Sequence, residues 1–89
     1  MAKSKGDVRL VILQRGWVMV GRFSQDGPRC ALDQASVIRY WGTTKGLGEL
    51  VDGPTSKTRL DPCGRVEFHE LTVIASIAAK EDKWTAHLS

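Results

Sequence analysis

The chain has 89 residues, with 42% hydrophobic and 26% charged side chains and a formal net charge of +3. These values are typical of one ordinary globular domain. A domain of this size has a compact core and little room for an enclosed substrate cavity. No apolar run approaches the length of a transmembrane helix, and no secretory leader precedes the first strand. We therefore expect a cytoplasmic protein with no membrane partner.

Much of the positive charge lies in a short basic arm, 1–6, which contains Lys3 and Lys5 and which we predict to be disordered. Without these two lysines, the chain carries 11 basic and 10 acidic side chains. A strong phosphate-binding surface usually has a concentrated basic stripe, and the linear sequence of the folded part has none. Composition therefore gives only weak support to a nucleic-acid partner.

Alternating branched residues predict a first strand over 7–13 and a second strand over 17–23. The polar segment 14–16 is a turn between them. Gly21 predicts a bulge or a sharp bend inside the second strand, and small barrels need such bends in order to close.

The dipeptide Asp26-Gly27 marks a hairpin turn, because Asp-Gly favours the tight turns that join antiparallel strands. Two apolar segments follow, 29–32 and 35–41. They are either two strands with a bend at Asp33-Gln34 or one long bent strand.

The segment 42–58 interrupts the strand pattern with four glycines, one proline and many small polar residues. Its apolar residues are spaced i, i+3, i+4, which predicts a short helix: Leu47, Leu50 and Val51. Thr43 or Thr44 would cap this helix, and Gly53-Pro54 would end it.

The last third of the chain returns to strands. A turn is predicted at 60–64, a half-buried strand at 65–69, a corner at Glu70-Leu71 and a closing strand at 72–79. Five or six short strands predict an all-β fold. We expect a small five- to six-stranded barrel or a rolled antiparallel sheet, SH3-like or Sm-like, with one short helix in the 42–58 excursion.

The predicted single domain covers 7–84, because Trp84 can fold back onto the sheet after the solvated charge run 80–83. The tail 85–89 is predicted to be frayed.

Cys30 and Cys63 are the only cysteines. A structural zinc site needs about four ligands, so we predict no metal site. Two free thiols are the expected state in a reducing cytosol, and a single disulfide is the alternative.

We predict no catalytic residue, no cofactor and no enzymatic activity. His69 and Glu67 share one face of a predicted strand, but a catalytic base also needs a nucleophile or substrate and an orienting partner. The glycine-rich loop matches no P-loop, because Lys45 precedes Gly46 instead of following it. It also lacks the third glycine of a dinucleotide-binding motif.

An aromatic and basic cluster is the best candidate for a binding surface. Its members are Trp17, Arg39, Tyr40, Trp41 and Lys45. Such residues are enriched at protein interfaces. An alternative set could hold nucleic acid: Lys3, Lys5, Arg15, Arg22, Arg39 and Lys45. The third interpretation is that the aromatic residues fill the core.

Two resemblances accompany this pattern. The bent segment Gly16–Phe23, the long segment 29–41 and the late pair within 64–79 are similar in order to an Sm-like barrel. The segments 11–18 and 37–50 resemble small proteins of tailed phages and prophages that have no assigned activity.

The second resemblance extends over about residues 8–79 and includes Gly53-Pro54-Thr55 and Leu60-Asp61-Pro62-Cys63-Gly64. It implies a viral gene product made in the cytoplasm of a bacterial host. The expected function is an oligomeric, non-enzymatic module that binds a host or viral protein. The alternative is an Sm-like nucleic-acid-binding protein.

Overall fold

The computed structural model describes residues 7–44 and 46–88. Five strands form one antiparallel sheet: β1 Asp7–Leu13, β2 Trp17–Asp26, β3 Arg29–Tyr40, β4 Arg59–His69 and β5 Val73–Ala78. Their order across the sheet is β4-β3-β2-β1-β5. The predicted all-β class is confirmed. A closed barrel is wrong, because β4 and β5 are the two edges of the sheet and do not pair with each other within the described residues.

Three short helices lie between strands, and two more follow β5. They are the 3-10 helices Gln14–Gly16, Leu47–Asp52, Glu70–Thr72 and Thr85–His87, and the α-helix α1, Glu81–Trp84. We call Leu47–Asp52 the loop helix. It confirms the helix predicted in the 42–58 excursion, but its N-cap is Gly46 and no side chain caps it, so the threonine cap is wrong.

The long strand β3 settles the alternatives for 29–41 in favour of one bent strand. One extra residue enters β3 between the pairs Arg22↔Asp33 and Val20↔Ser36, and Gln34 has a φ of 53°. Gly21 lies opposite this bulge. A Cβ atom there would be 3.0 Å from the Asp33 carbonyl oxygen, so glycine permits the close approach of the two strands.

The turn predicted at 60–64 is wrong, because these residues lie inside β4. Pro62 pairs with Ser36 and Gly64 with Ala35, which leaves Cys63 as an extra, bulged residue. A proline is tolerated here because β4 is an edge strand and its outward side needs no amide donor.

One face of the sheet is covered by the loop helix and α1. The buried residues of this helix-side cluster are Val8, Leu10, Val18, Val20, Ile38, Leu50 and Trp84. Trp84 is fully buried, and its indole Nε1 donates a hydrogen bond to the Leu50 carbonyl at 2.8 Å. The prediction that Trp84 folds back onto the domain is confirmed.

The opposite face has a second buried cluster: Val11, Met19, Leu32 and Ala35. The partly buried residues around it also come from strands, among them Val66 of β4 and Val73 of β5. Because these strands are the two edges of the sheet, the sheet curls around this cluster and shields it without a covering helix. This arrangement is the rolled antiparallel sheet of the sequence prediction.

The C-terminal segment is fastened to the loop helix by polar contacts. The Lys80 amide donates to the Val51 carbonyl at 3.0 Å, and its ammonium group lies 2.7 Å from a carboxylate oxygen of Asp52. Lys80 holds the pKa of Asp52 below its ordinary value, first through this hydrogen bond and then through its charge.

The end of the chain continues from α1 into the 3-10 helix Thr85–His87, and Leu88 packs against the helix-side cluster. This is the segment for which we predicted a frayed tail. The basic arm 1–6 lies outside the described residues. None of the described helices is long and apolar enough to cross a membrane.

Candidate interaction surface

Tyr40 and Trp41 stand at the end of β3, where the chain leaves the sheet. Their exposed fractions are 59% and 39%, although both are large apolar side chains. They border an open groove of about 490 Å³, which we call the aromatic groove. Its lining consists of Arg39, Tyr40, Trp41, Gly42, Thr43, Thr44 and Lys57.

Threonine side chains hold the two ends of the 42–58 loop together behind this groove. The Thr58 hydroxyl donates to the Trp41 carbonyl at 2.6 Å, and the Thr55 hydroxyl donates to the Gly42 carbonyl at 2.9 Å. The two hydroxyl oxygens are also 3.0 Å apart. Because these bonds fix the backbone directly beneath Trp41, the groove is built into the fold.

A close backbone approach completes the groove wall. Gly42 has a φ of 66°, and a Cβ atom at this position would lie 2.5 Å from the carbonyl carbon of Lys57. Only glycine combines this left-handed conformation with this lack of space. On the other side, the Thr44 amide donates to the Glu49 carboxylate at 3.0 Å, which links the groove to the loop helix.

The two basic residues that line the groove, Arg39 and Lys57, differ in their ion pairing. Arg39 forms an ion pair with Asp61 at 3.0 Å, with both side chains largely exposed. The ammonium group of Lys57 has no ion pair within the described part of the chain. Lys57 therefore places beside the two aromatic rings a positive charge that has no ion-pair partner among the residues the structure describes.

Trp17 is exposed but does not line the aromatic groove. It begins β2, is 54% exposed and pairs with Leu13 of β1. The structure therefore brings together Arg39, Tyr40 and Trp41 of the predicted binding set, and Lys45 lies outside the described residues.

The structure describes three members of the alternative nucleic-acid set, and they differ in exposure and in their partners. Arg22 is only 8% exposed, and its guanidinium donates to Gln34 and to Glu81, each at 3.0 Å. Its side chain therefore joins the β3 bulge to α1 and leaves little exposed surface for a phosphate. Arg15 is exposed in the turn before β2, Arg39 is paired with Asp61, and Lys3 and Lys5 lie outside the described residues.

His69 and Glu67 have structural contacts. The imidazole Nδ1 of His69 accepts a hydrogen bond from the Leu71 amide at 3.0 Å and caps the helix Glu70–Thr72. Glu67 pairs with Arg65 at 3.1 Å, and Arg65 also contacts both carboxylate oxygens of Asp33. These residues border a second open groove of about 510 Å³ near the β2–β3 turn.

The described residues contain no group of three or more His, Cys, Asp and Glu side chains that could hold a metal ion.

The two cysteines are free, as predicted, but their environments differ. Cys30 is buried between strands, and burial followed by the charge of Glu70 raises the pKa of its thiol. Cys63 is exposed at the bulge of β4. Because the thiolate is the reactive form, Cys63 should react with an alkylating agent faster than Cys30.

We expect iodoacetamide at pH 8 to modify Cys63 at least tenfold faster than Cys30, as measured by mass spectrometry of timed samples. Both sites should react at similar rates in denaturant. Equal rates in the native protein would contradict the burial of Cys30.

Two sets of surface residues were not singled out individually from the sequence. Thr43, Thr44 and Lys57 line the aromatic groove, and the paired threonines at 55 and 58 were the available signal. Leu71 and Ile74 are 77% and 64% exposed, although the sequence placed them in a corner and a closing strand. The lack of charged residues from 72 to 79 was the sequence feature that could have indicated this apolar surface.

Comparison with known proteins adds no family. No protein-family model matches the chain, and a search of curated proteins finds no match. The resemblance to phage and prophage proteins therefore stays a prediction.

Proposed function

We propose that this chain is a phage- or prophage-encoded, non-enzymatic binding module that works in the bacterial cytoplasm. It self-associates, and its aromatic groove holds a short peptide segment of a host or viral protein. The observation that carries the proposal is the exposure of Tyr40 and Trp41 above a loop fastened by hydrogen bonds. A fold that buries Trp84 completely has left these two aromatic rings in solvent.

The chemistry of the groove indicates the kind of segment it would hold. Tyrosine, tryptophan and arginine are enriched among the residues that dominate binding energy at protein interfaces, and the two aromatic types bury a large area at a small entropic cost. The rings of Tyr40 and Trp41 would contact an apolar anchor. The ammonium group of Lys57, which has no ion pair among the described residues, would favour a carboxylate beside that anchor. The proposed ligand is therefore an acidic peptide with one large apolar side chain.

Fluorescein-labelled peptides test this proposal directly. Each peptide has one central leucine or phenylalanine, flanked by glutamate, glutamine or lysine, and binding is followed by fluorescence anisotropy. We expect the glutamate series to bind about 2- to 5-fold more tightly than the glutamine series, as for a charge pair at an interface rim. Lys57→Glu should reverse the preference toward the lysine series.

Trp41→Ala should weaken binding of the best peptide by about 30-fold, because a central aromatic anchor contributes 2 kcal/mol or more. Trp17→Ala is the matched control, since Trp17 is exposed outside the groove, and it should leave affinity unchanged. If Trp41→Ala unfolds, Tyr40→Ala serves instead, because Tyr40 is the more exposed ring. Equal losses in the Trp17 and Trp41 variants would overturn the groove assignment.

The nucleic-acid alternative is decided in the same assay with a labelled single-stranded oligonucleotide. Each neutralised phosphate releases counterions, so such binding falls steeply as salt rises. Oligonucleotide affinity that exceeds peptide affinity and shows this salt dependence would replace the peptide proposal.

A further inference from the structure

The sheet has two open edges, and they differ in their protection against pairing with another strand. An exposed edge presents unpaired amide and carbonyl groups that can extend a sheet into a second molecule. Natural edges are usually guarded by charge, proline or bulges. The two edges here are β4 and β5.

The β4 edge is guarded in all three ways. Pro62 lies within the strand, and Cys63 forms a bulge next to it. Charged side chains are distributed along the strand: Arg59, Asp61, Arg65 and Glu67. A partner strand would meet a missing donor, an irregular register and several charges.

The β5 edge lacks most of this protection. From Thr72 to Ala79 the sequence has no charged residue, no glycine and no proline, in a chain of which 26% is charged. Its backbone pairs with β1 on one side, and no strand of the described residues lies on the other. Only a bulge at Ile74 interrupts it, and that side chain is 64% exposed. Leu71, just before β5, is 77% exposed.

We propose that β5 pairs with β5 of a second copy of this chain in an antiparallel, twofold-symmetric dimer. The absence of charged side chains from β5 assigns the occupant. Two identical β5 strands can pair without placing like charges opposite each other. In β4, by contrast, like charges would oppose pairing of the strand with itself. The twofold arrangement joins two five-stranded sheets into one of ten strands and leaves no further β5 edge. Ile74 and Leu71 supply apolar area beside the new backbone bonds.

This inference deepens the proposed function, because it names the edge and the symmetry of the self-association assumed there. The two surfaces are separate. Residues 72–79 do not line the aromatic groove, so loss of dimerisation and loss of peptide binding can be measured independently.

Sedimentation equilibrium of the full chain over about 5 to 500 µM is the test. We expect the mass to rise with concentration from 9.8 kDa toward twice that value and then stop. Ile74→Lys should raise the dimer dissociation constant at least tenfold, because it adds a like charge to the same exposed position of both β5 edges. Ala75→Lys, at another exposed position of β5, is the second variant should the first fail to fold.

Cys63→Lys is the matched control, since Cys63 is also an exposed, bulged residue of an edge strand. It should leave the dimer unchanged, and none of the three lysine variants should change peptide affinity at the aromatic groove. A monomer at every concentration would overturn the proposal. Assembly beyond the dimer, or loss of the dimer in Cys63→Lys, would also overturn it, because both indicate pairing that involves β4.

Discussion

Trp84→Ala should be the most damaging substitution of a single aromatic residue in this protein. Trp84 is fully buried and belongs to the helix-side cluster with residues from four elements of the sheet and loop. Truncation of a buried tryptophan removes apolar contacts and leaves a cavity, at a cost of about 3–5 kcal/mol. Small domains are stable by about 5–15 kcal/mol in total, so the variant should be largely or partly unfolded at 37 °C.

The hydrogen bond of Trp84 is a smaller part of this effect. The Leu50 carbonyl that accepts from the indole also accepts from the Gly53 amide at 3.0 Å. It therefore keeps one donor when the indole is removed. Trp84→Phe, which keeps most of the ring contacts, should cost only about 1–2 kcal/mol.

Urea denaturation followed by far-ultraviolet circular dichroism measures both variants. Trp17→Ala is the control: Trp17 is 54% exposed, and its loss should change the free energy of unfolding by less than about 1 kcal/mol. If Trp84→Ala is as stable as the wild type, the C-terminal helix does not cover the sheet.

The three tryptophans show why burial of an aromatic side chain is difficult to predict from local sequence. Trp17 lies between Gly16 and Val18, Trp41 between Tyr40 and Gly42, and Trp84 between Lys83 and Thr85. None of these neighbours determines whether the ring is buried. From the sequence, the aromatic residues could fill the core, form a protein interface or stack on nucleic-acid bases. Trp84 is buried only because the loop helix and α1 meet over the same face of the sheet, a contact between segments about 30 residues apart.

Strand positions were predictable because alternation of side chains is a local property. β1, β2 and the half-buried end of β4 follow it directly. The bend at Asp33-Gln34 was ambiguous for a physical reason. A polar pair can end a strand or form a bulge within it, and the choice depends on the partner strand, where Gly21 makes room.

The turn predicted at 60–64 was wrong for a similar reason, because it depends on how the strands are arranged in the sheet. Proline with a nearby glycine favours a turn in isolation, and the sequence does not say which strands are edges. In the folded sheet, β4 is an edge and accommodates proline next to a bulge. The openness of the sheet is also a global property, because pairing of β4 with β5 depends on curvature accumulated over all five strands.

Gly42→Ala should lower the free energy of unfolding in two ways, through its backbone conformation and through steric overlap. Gly27→Ala is the matched variant that separates them. Gly42 and Gly27 have nearly the same left-handed backbone, with φ values of 66° and 61°. A Cβ atom at Gly27 would meet nothing within 4 Å, whereas at Gly42 it would lie 2.5 Å from the Lys57 carbonyl carbon. Gly27→Ala therefore measures the conformational cost alone, about 1–2 kcal/mol.

Gly42→Ala adds the steric overlap with Lys57, and we expect an unfolding free energy about 1–3 kcal/mol lower than that of Gly27→Ala. The displaced backbone should also break the hydrogen bond from the Thr55 hydroxyl to the Gly42 carbonyl, so the aromatic groove should lose peptide affinity. Urea denaturation and the anisotropy assay measure the two effects. Equal stability of the two variants would mean that the 42–58 loop moves away at no cost, and a groove held in place by that loop would then be excluded.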